Sequence, residues 1–171
     1  MDKTMLDDDV LALVLELKAM ADRLRAKGLK DDDLHDLLSR DEKGIALSPD
    51  GTLDLLDYGK KIRLNPLERT LYAFLMKHED GVRADDLWMY YDELVGIYGK
   101  MTRFDDPDAV ADAVDTLLDD SRVTLYSNLS RIKRKITEAA GARAARMYAI
   151  LRGKDNVYRV SAPRALVRGS L

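Results

Sequence analysis

Cysteine is absent from the 171 residues. That excludes disulfides, thiolate metal sites and cysteine nucleophiles, and it fits a reducing, cytoplasmic setting. No apolar run reaches the roughly 18 residues of a membrane-spanning helix, so no membrane association is expected. The opening stretch MDKTMLDDDV holds too many acids for a signal or transit peptide. Histidine is nearly missing: His35 and His78 stand alone, neither with a partner at ligand or triad spacing. No glycine loop of the phosphate-binding kind occurs. The run Asp31-Asp32-Asp33 lacks the spacing of a calcium loop and suits the acidic first turn of a helix. Asn128-Leu129-Ser130 matches a glycosylation sequon, which a cytoplasmic chain would not use. These absences lead to the expectation of a non-enzymatic protein with no metal and no cofactor.

What is present is a core-forming composition, 46% hydrophobic, with a strongly uneven charge. Residues 121–171 carry 12 Lys and Arg against two acids, a balance of +10. Residues 1–120 carry 16 against 29, a balance of −13. The net −3 therefore conceals a basic end, and the local patch sets the field a ligand meets.

The centre of that basic end is Arg122–Ala140, RVTLYSNLSRIKRKITEAA. Leu125, Leu129, Ile132 and Ile136 recur at helical spacing and define one buried stripe. At about 100° per residue, Ser127, Ser130, Arg131 and Arg134 fall opposite, with Lys133 and Lys135 flanking. Such a helix can lie in a DNA major groove, with Arg on guanine edges and Lys on phosphates. It can equally be an amphipathic surface helix with a solvated charged face.

Along the chain, Leu6, Val10, Leu13, Leu17, Met20 and Leu24 form an a/d seam of nearly three heptads, stopped by Gly28. Residues 1–28 are read as one helix, either dimerising or docked on its own domain. Residues 29–43 read as a linker with a short helical turn. Gly44–Leu64 alternates as a three-strand antiparallel meander, with turns at Pro49-Asp50-Gly51 and Asp57-Tyr58-Gly59. Asn65-Pro66-Leu67-Glu68 starts a helix with a capping box. Arg83–Val95 reads as a second helix with Leu87, Trp88, Tyr91, Leu94 and Val95 inward, and 96–105 as irregular. Asp106-Pro107 opens a further helix to about 119, apolar on one face and rich in Asp112, Asp115, Asp119 and Asp120 on the other. This helix is expected on the domain flank, away from the basic face. Met147–Arg152 and Val157–Val160 read as a hairpin, and 161–171 as a frayed basic tail.

Four of these pieces, in order, resemble the OmpR-type winged-helix effector domain of bacterial response regulators. "IRLNPLERTLYAFLMKHEDGV" resembles that family's strand and first helix, and "ADDLW" the start of its second helix. "NLSRIKRKI" (128–136) resembles its recognition helix and "ILRGKDNVYRV" (150–160) its wing. The resemblance covers about residues 44–160. It implies a mostly α fold with small β content: a winged helix-turn-helix with an N-terminal meander and a C-terminal wing hairpin, preceded here by the long helix. It implies a DNA-binding transcriptional regulator, with helix 122–140 in the major groove and wing 150–160 on the flanking backbone. It places Ser130, Arg131 and Arg134 toward the groove, and Arg152 and Lys154 in or beside the wing. Three departures stand out. The 43 residues before the meander are too few to supply that family's phosphoreceiver domain. The loop before the recognition helix is lengthened by the 106–119 helix; since the family contacts RNA polymerase there, segment 96–120 is a candidate for that or another protein. The wing turn is longer and lacks the second glycine. The competing function is a winged-helix interaction module that sets the same basic face on an acidic partner.

Overall fold

The computed structural model describes residues 8–32, 34, 44–102, 106–162 and 167–168. The chain divides into two units, Met1–Asp41 and Glu42–Leu171.

The first unit holds helix α1, Asp8–Ala26. Its end is set by Gly28, at φ 94°, where only glycine turns left-handed without strain. The Gly28 N–H donates to the Arg25 carbonyl at 2.8 Å and the Leu29 N–H to the Leu24 carbonyl at 3.1 Å. Together they satisfy carbonyls the helix leaves open, as a Schellman cap does. Asp31, Asp32 and Leu34 are helical, with the Leu34 N–H on the Lys30 carbonyl. Leu6, Asp33, His35 and the remainder of the expected linker, 36–43, lie outside the described residues.

The second unit is mostly helical with two small sheets, as expected of an α+β chain. Strands β1 (Ile45–Leu47), β2 (Thr52–Leu55) and β3 (Lys60–Arg63) form the antiparallel meander. Ile45, Leu47, Leu53, Leu55 and Ile62 all point to the core, the period-two pattern of a half-buried sheet. Helix α2 (Pro66–Lys77) begins with a complete capping box. Asn65 accepts from the Glu68 N–H and Glu68 from the Asn65 N–H, both at 2.8 Å.

Between α2 and the next helix the expectation of one continuous helix fails. Val82–Arg83 forms a strand, β4, and Ala84–Tyr90 winds as a 3₁₀ turn before α3, Tyr91–Thr102. Three residues per turn align Ala84, Leu87 and Tyr90 on the inner side. Ala84 and Leu87 are buried and Trp88, expected inside, is 65% exposed. Tyr91 and Val95, also expected inside, are half-buried and pack against the core. Residues 96–102, expected irregular, are helical because Leu94, Ile97 and Tyr98 continue one buried stripe.

Helix α4 (Pro107–Leu118) starts at Asp106, whose side chain accepts from the Asp108 N–H. It packs on α3 and on the helix that follows, with Val110, Val114 and Leu117 in the core. Asp112, Asp115, Asp119 and Asp120 face solvent, the flank position the pattern implies. Helix α5 (Val123–Tyr148) is interrupted at Gly141, with φ 87° and ψ 173°, and resumes to Tyr148. Met147–Tyr148 is therefore helix where a strand was expected. Tyr148 anchors that last turn: its carbonyl accepts from the buried Tyr72 hydroxyl at 2.6 Å, and its own hydroxyl donates to Asp57.

Strands β5 (Ile150–Arg152) and β6 (Val157–Val160) make the expected hairpin, and β4 adds a third strand to give the order β4-β6-β5. Gly81 (φ 79°) lets the chain enter β4, since a side chain there would strike Val157 and the Tyr158 carbonyl at 2.5 and 2.6 Å. The tail corrects another expectation. Val167–Arg168 forms β7, paired in parallel with β1, so this part of 161–171 is sheet rather than frayed chain. Residues 163–166 and 169–171 lie outside the described residues.

Candidate nucleic-acid interface

Helix α5 buries Leu125, Asn128, Leu129, Ile132 and Ile136, the stripe read from the sequence plus one asparagine. That burial fixes the helix's rotation. Ser130, Arg131, Lys133 and Arg134 are consequently exposed, and Ser127 is half-buried. Arg134 lies 3.7 Å from Glu138 one turn on, an exposed pair worth little and easily exchanged for another anion.

Lys135 behaves differently from its neighbours. Its ammonium lies 2.6 Å from Glu68 Oε2 and donates to the Arg63 carbonyl at 3.0 Å. Glu68 is fully buried, so this amine neutralises a carboxylate inside the fold. The sequence placed Lys135 on the flank with Lys133; the structure gives it a partner 67 residues away.

Val123 and Tyr126 share the exposed face, Val123 at 65%. The phase that places Ser127 and Ser130 on the free face places Val123 and Tyr126 there as well. Ser127 and Arg131 also line an open groove of about 500 Å³ with Val123, Thr124, Tyr98 and the α2 entry Asn65-Pro66-Leu67.

The hairpin stands beside this face. The rings of Tyr126 and Tyr158 lie 6.3 Å apart. Arg152 is directly across from Tyr158 in the β5–β6 register, so both side chains emerge on one side of the sheet. Arg152 is thereby brought near α5. Lys154 is exposed at the tip. The turn's acid is tied to the hairpin itself: the Val157 N–H and then the Arg159 guanidinium hold the exposed Asp155 carboxyl below the usual carboxylate range. Arg159 reaches Asp155 at 2.7 Å.

Comparison with protein-family models, with curated proteins and with solved structures finds no match.

Arg122, at φ 57°, opens α5 and reaches back to Asp85 at 3.7 Å, linking the helix start to the 3₁₀ turn. Ahead of it, the Ser121 hydroxyl and then the Ser121 N–H hold the Asp119 carboxyl low. Asp115 takes the Tyr91 hydroxyl as a hydrogen-bond donor, which raises that phenol's pKa. The acids of α4 are in this way tied to its own flank. His78, without an evident partner in sequence, bonds Glu93 at 3.0 Å and stacks near Phe74 and Tyr90. Among the described residues no group of three His, Cys, Asp or Glu side chains could hold a metal, and no helix is long and apolar enough to cross a membrane.

Proposed function

We propose that residues 44–160 are a winged-helix DNA-binding domain of the OmpR type, acting in a bacterial transcriptional regulator in the cytoplasm. One observation carries this reading: α5 sets Ser127, Ser130, Arg131 and Arg134 on one exposed face, opposite its buried stripe, with Arg152 of the hairpin alongside. A helix with cations and short hydroxyls on its free face has the donors that guanine and phosphate accept. The 3₁₀ turn with α3, followed by α5, supplies the helix-turn-helix, extended by α4; β4-β6-β5 supplies the wing. In this reading α5 enters the major groove and Arg152 and Lys154 meet the flanking backbone. Lys133 meets a phosphate; Lys135 serves the fold. The acids of α4 repel DNA from the flank and leave segment 96–120 to RNA polymerase or another protein.

The experiment is a fluorescence titration with duplex DNA selected from a random pool, repeated across salt. With about six phosphate contacts, affinity falls on the order of a thousandfold between about 50 and 200 mM salt. Absence of binding at low salt would refute the reading. A steep salt slope without sequence preference would reduce it to nonspecific DNA coating.

A second reading has its own support. Trp88 and Met89 stand exposed on the 3₁₀ turn. Exposed aromatic and methionine side chains are enriched at protein interfaces. A winged-helix module that docks an acidic protein would use them together with the basic face.

A further inference from the structure

Helix α1 of the first unit carries exposed large apolar side chains along its length. At about 100° per residue, Met20, Leu13, Leu24, Leu17, Val10, Ala21 and Val14 fall in that order within roughly a third of the helix circumference. Leu13, Met20 and Leu17 are 64, 59 and 53% exposed. The repeat is 3.5 residues, which keeps a seam straight between two coiled helices rather than drifting round one.

We propose that this face pairs with α1 of a second copy of the chain, antiparallel. Charge decides both the occupant and the direction. The side of the seam next to Val10, Leu17 and Leu24 carries Asp9, Glu16 and Arg23, one heptad apart. In a parallel pair those residues meet Val14 and Ala21 and find no ionic partner, while the Asp9 carboxylates of both copies come to the same end. In an antiparallel pair the same side meets itself reversed. Asp9 then lies beside Arg23 of the other copy, twice over, and the central Glu16 meets its own equivalent. On the other side Val14 meets Val14. The helix dipoles also oppose, with acids at the positive ends and Lys27 at the negative ones. With Val10 layered on Met20 and Leu13 on Leu17, these a positions meet d positions. Nineteen residues span about 28 Å, and a lone helix of that length is marginal in water, so pairing and helix formation are coupled. The pairing is independent of the DNA reading.

The absence of native cysteine makes the test direct. Full-length Val10→Cys and Met20→Cys proteins are oxidised separately and as an equimolar mixture. The mixture should form the cross-linked dimer on the order of tenfold faster than either protein alone. Sedimentation should give twice the chain mass for the native protein and a single chain for Leu17→Asp, with the thermal transition of the second unit unchanged. Asp9→Arg or Arg23→Asp should each weaken the dimer by about tenfold, and the double exchange should restore it. Faster cross-linking of Val10→Cys to itself would overturn the antiparallel arrangement. A monomer at all concentrations, or a dimer insensitive to Leu17→Asp, would overturn the pairing, whatever the DNA titration gives.

Discussion

Replacing Lys135 with methionine keeps its length and packing but deletes the charge opposite Glu68. Glu68 is fully buried, and its Oε1 has no hydrogen-bond partner of its own. The variant leaves a carboxylate in the core supported by the Asn65 N–H alone. Breaking a buried pair from one side costs about 3–5 kcal/mol. Lys135 keeps 29% of its side chain exposed, so water can reach part of the vacated space, and about 2–3 kcal/mol is expected. That is roughly a 30- to 150-fold loss in the folding equilibrium and a fall in Tm of roughly 10 °C. Glu68→Gln removes the buried charge yet can still complete the capping box. The double variant Lys135→Met/Glu68→Gln should therefore recover to within about 1 kcal/mol of the native protein. Urea unfolding followed by far-ultraviolet circular dichroism measures all four proteins. Native-like stability of Lys135→Met, or a double variant as unstable as the two single losses added, would refute the strut. In DNA titrations Lys135→Met should leave the salt slope unchanged, because that amine is occupied inside the fold.

Lys133→Ala, by contrast, should weaken binding to all sequences alike and lower the salt slope by about one unit, read from the same titrations. Arg131→Ala and Arg134→Ala should each cost about 1–3 kcal/mol on the selected site, relax its sequence preference and leave Tm unchanged. Leu129→Asp should abolish the cooperative thermal transition, since it puts an unpaired charge in the core. Trp88→Ser should shift stability by less than about 0.5 kcal/mol. The native protein's one tryptophan should emit as a solvated indole and shift to the blue when a protein partner covers it.

The parts of this fold legible in the sequence are those governed by neighbours. Asn65, Pro66 and Glu68 announce the α2 start because a capping box is closed within four residues. The α5 stripe is legible because burial at Leu125, Leu129, Ile132 and Ile136 fixes the phase of everything between them. Trp88 stands outside because the backbone there turns every three residues rather than every 3.6. Lys135 looked like Lys133 because its partner, Glu68, lies on another helix. Strand β7 was missed for the same kind of reason: Val167 and Arg168 gain their strand character from β1, and two residues alone carry no period. Of the eight side chains chosen for DNA, helical phase suffices for those on the free face of α5. Arg152 gains its place from the cross-strand register with Tyr158.

The parallel pairing of β7 with β1 has a consequence for how the chain is made. Ile45 pairs with Val167, so 122 residues must be added after Ile45 before the outer edge of its strand is covered. At about 5–20 residues per second, that edge stays open on the ribosome for on the order of ten seconds. An open edge is a template for strands of other nascent chains. The meander protects its other side early, through β2 and β3, which follow within 20 residues. Shortening the chain after Val160 would leave the remaining edge uncovered for the life of the protein, so such truncations should yield aggregates even where every helix of the second unit is intact.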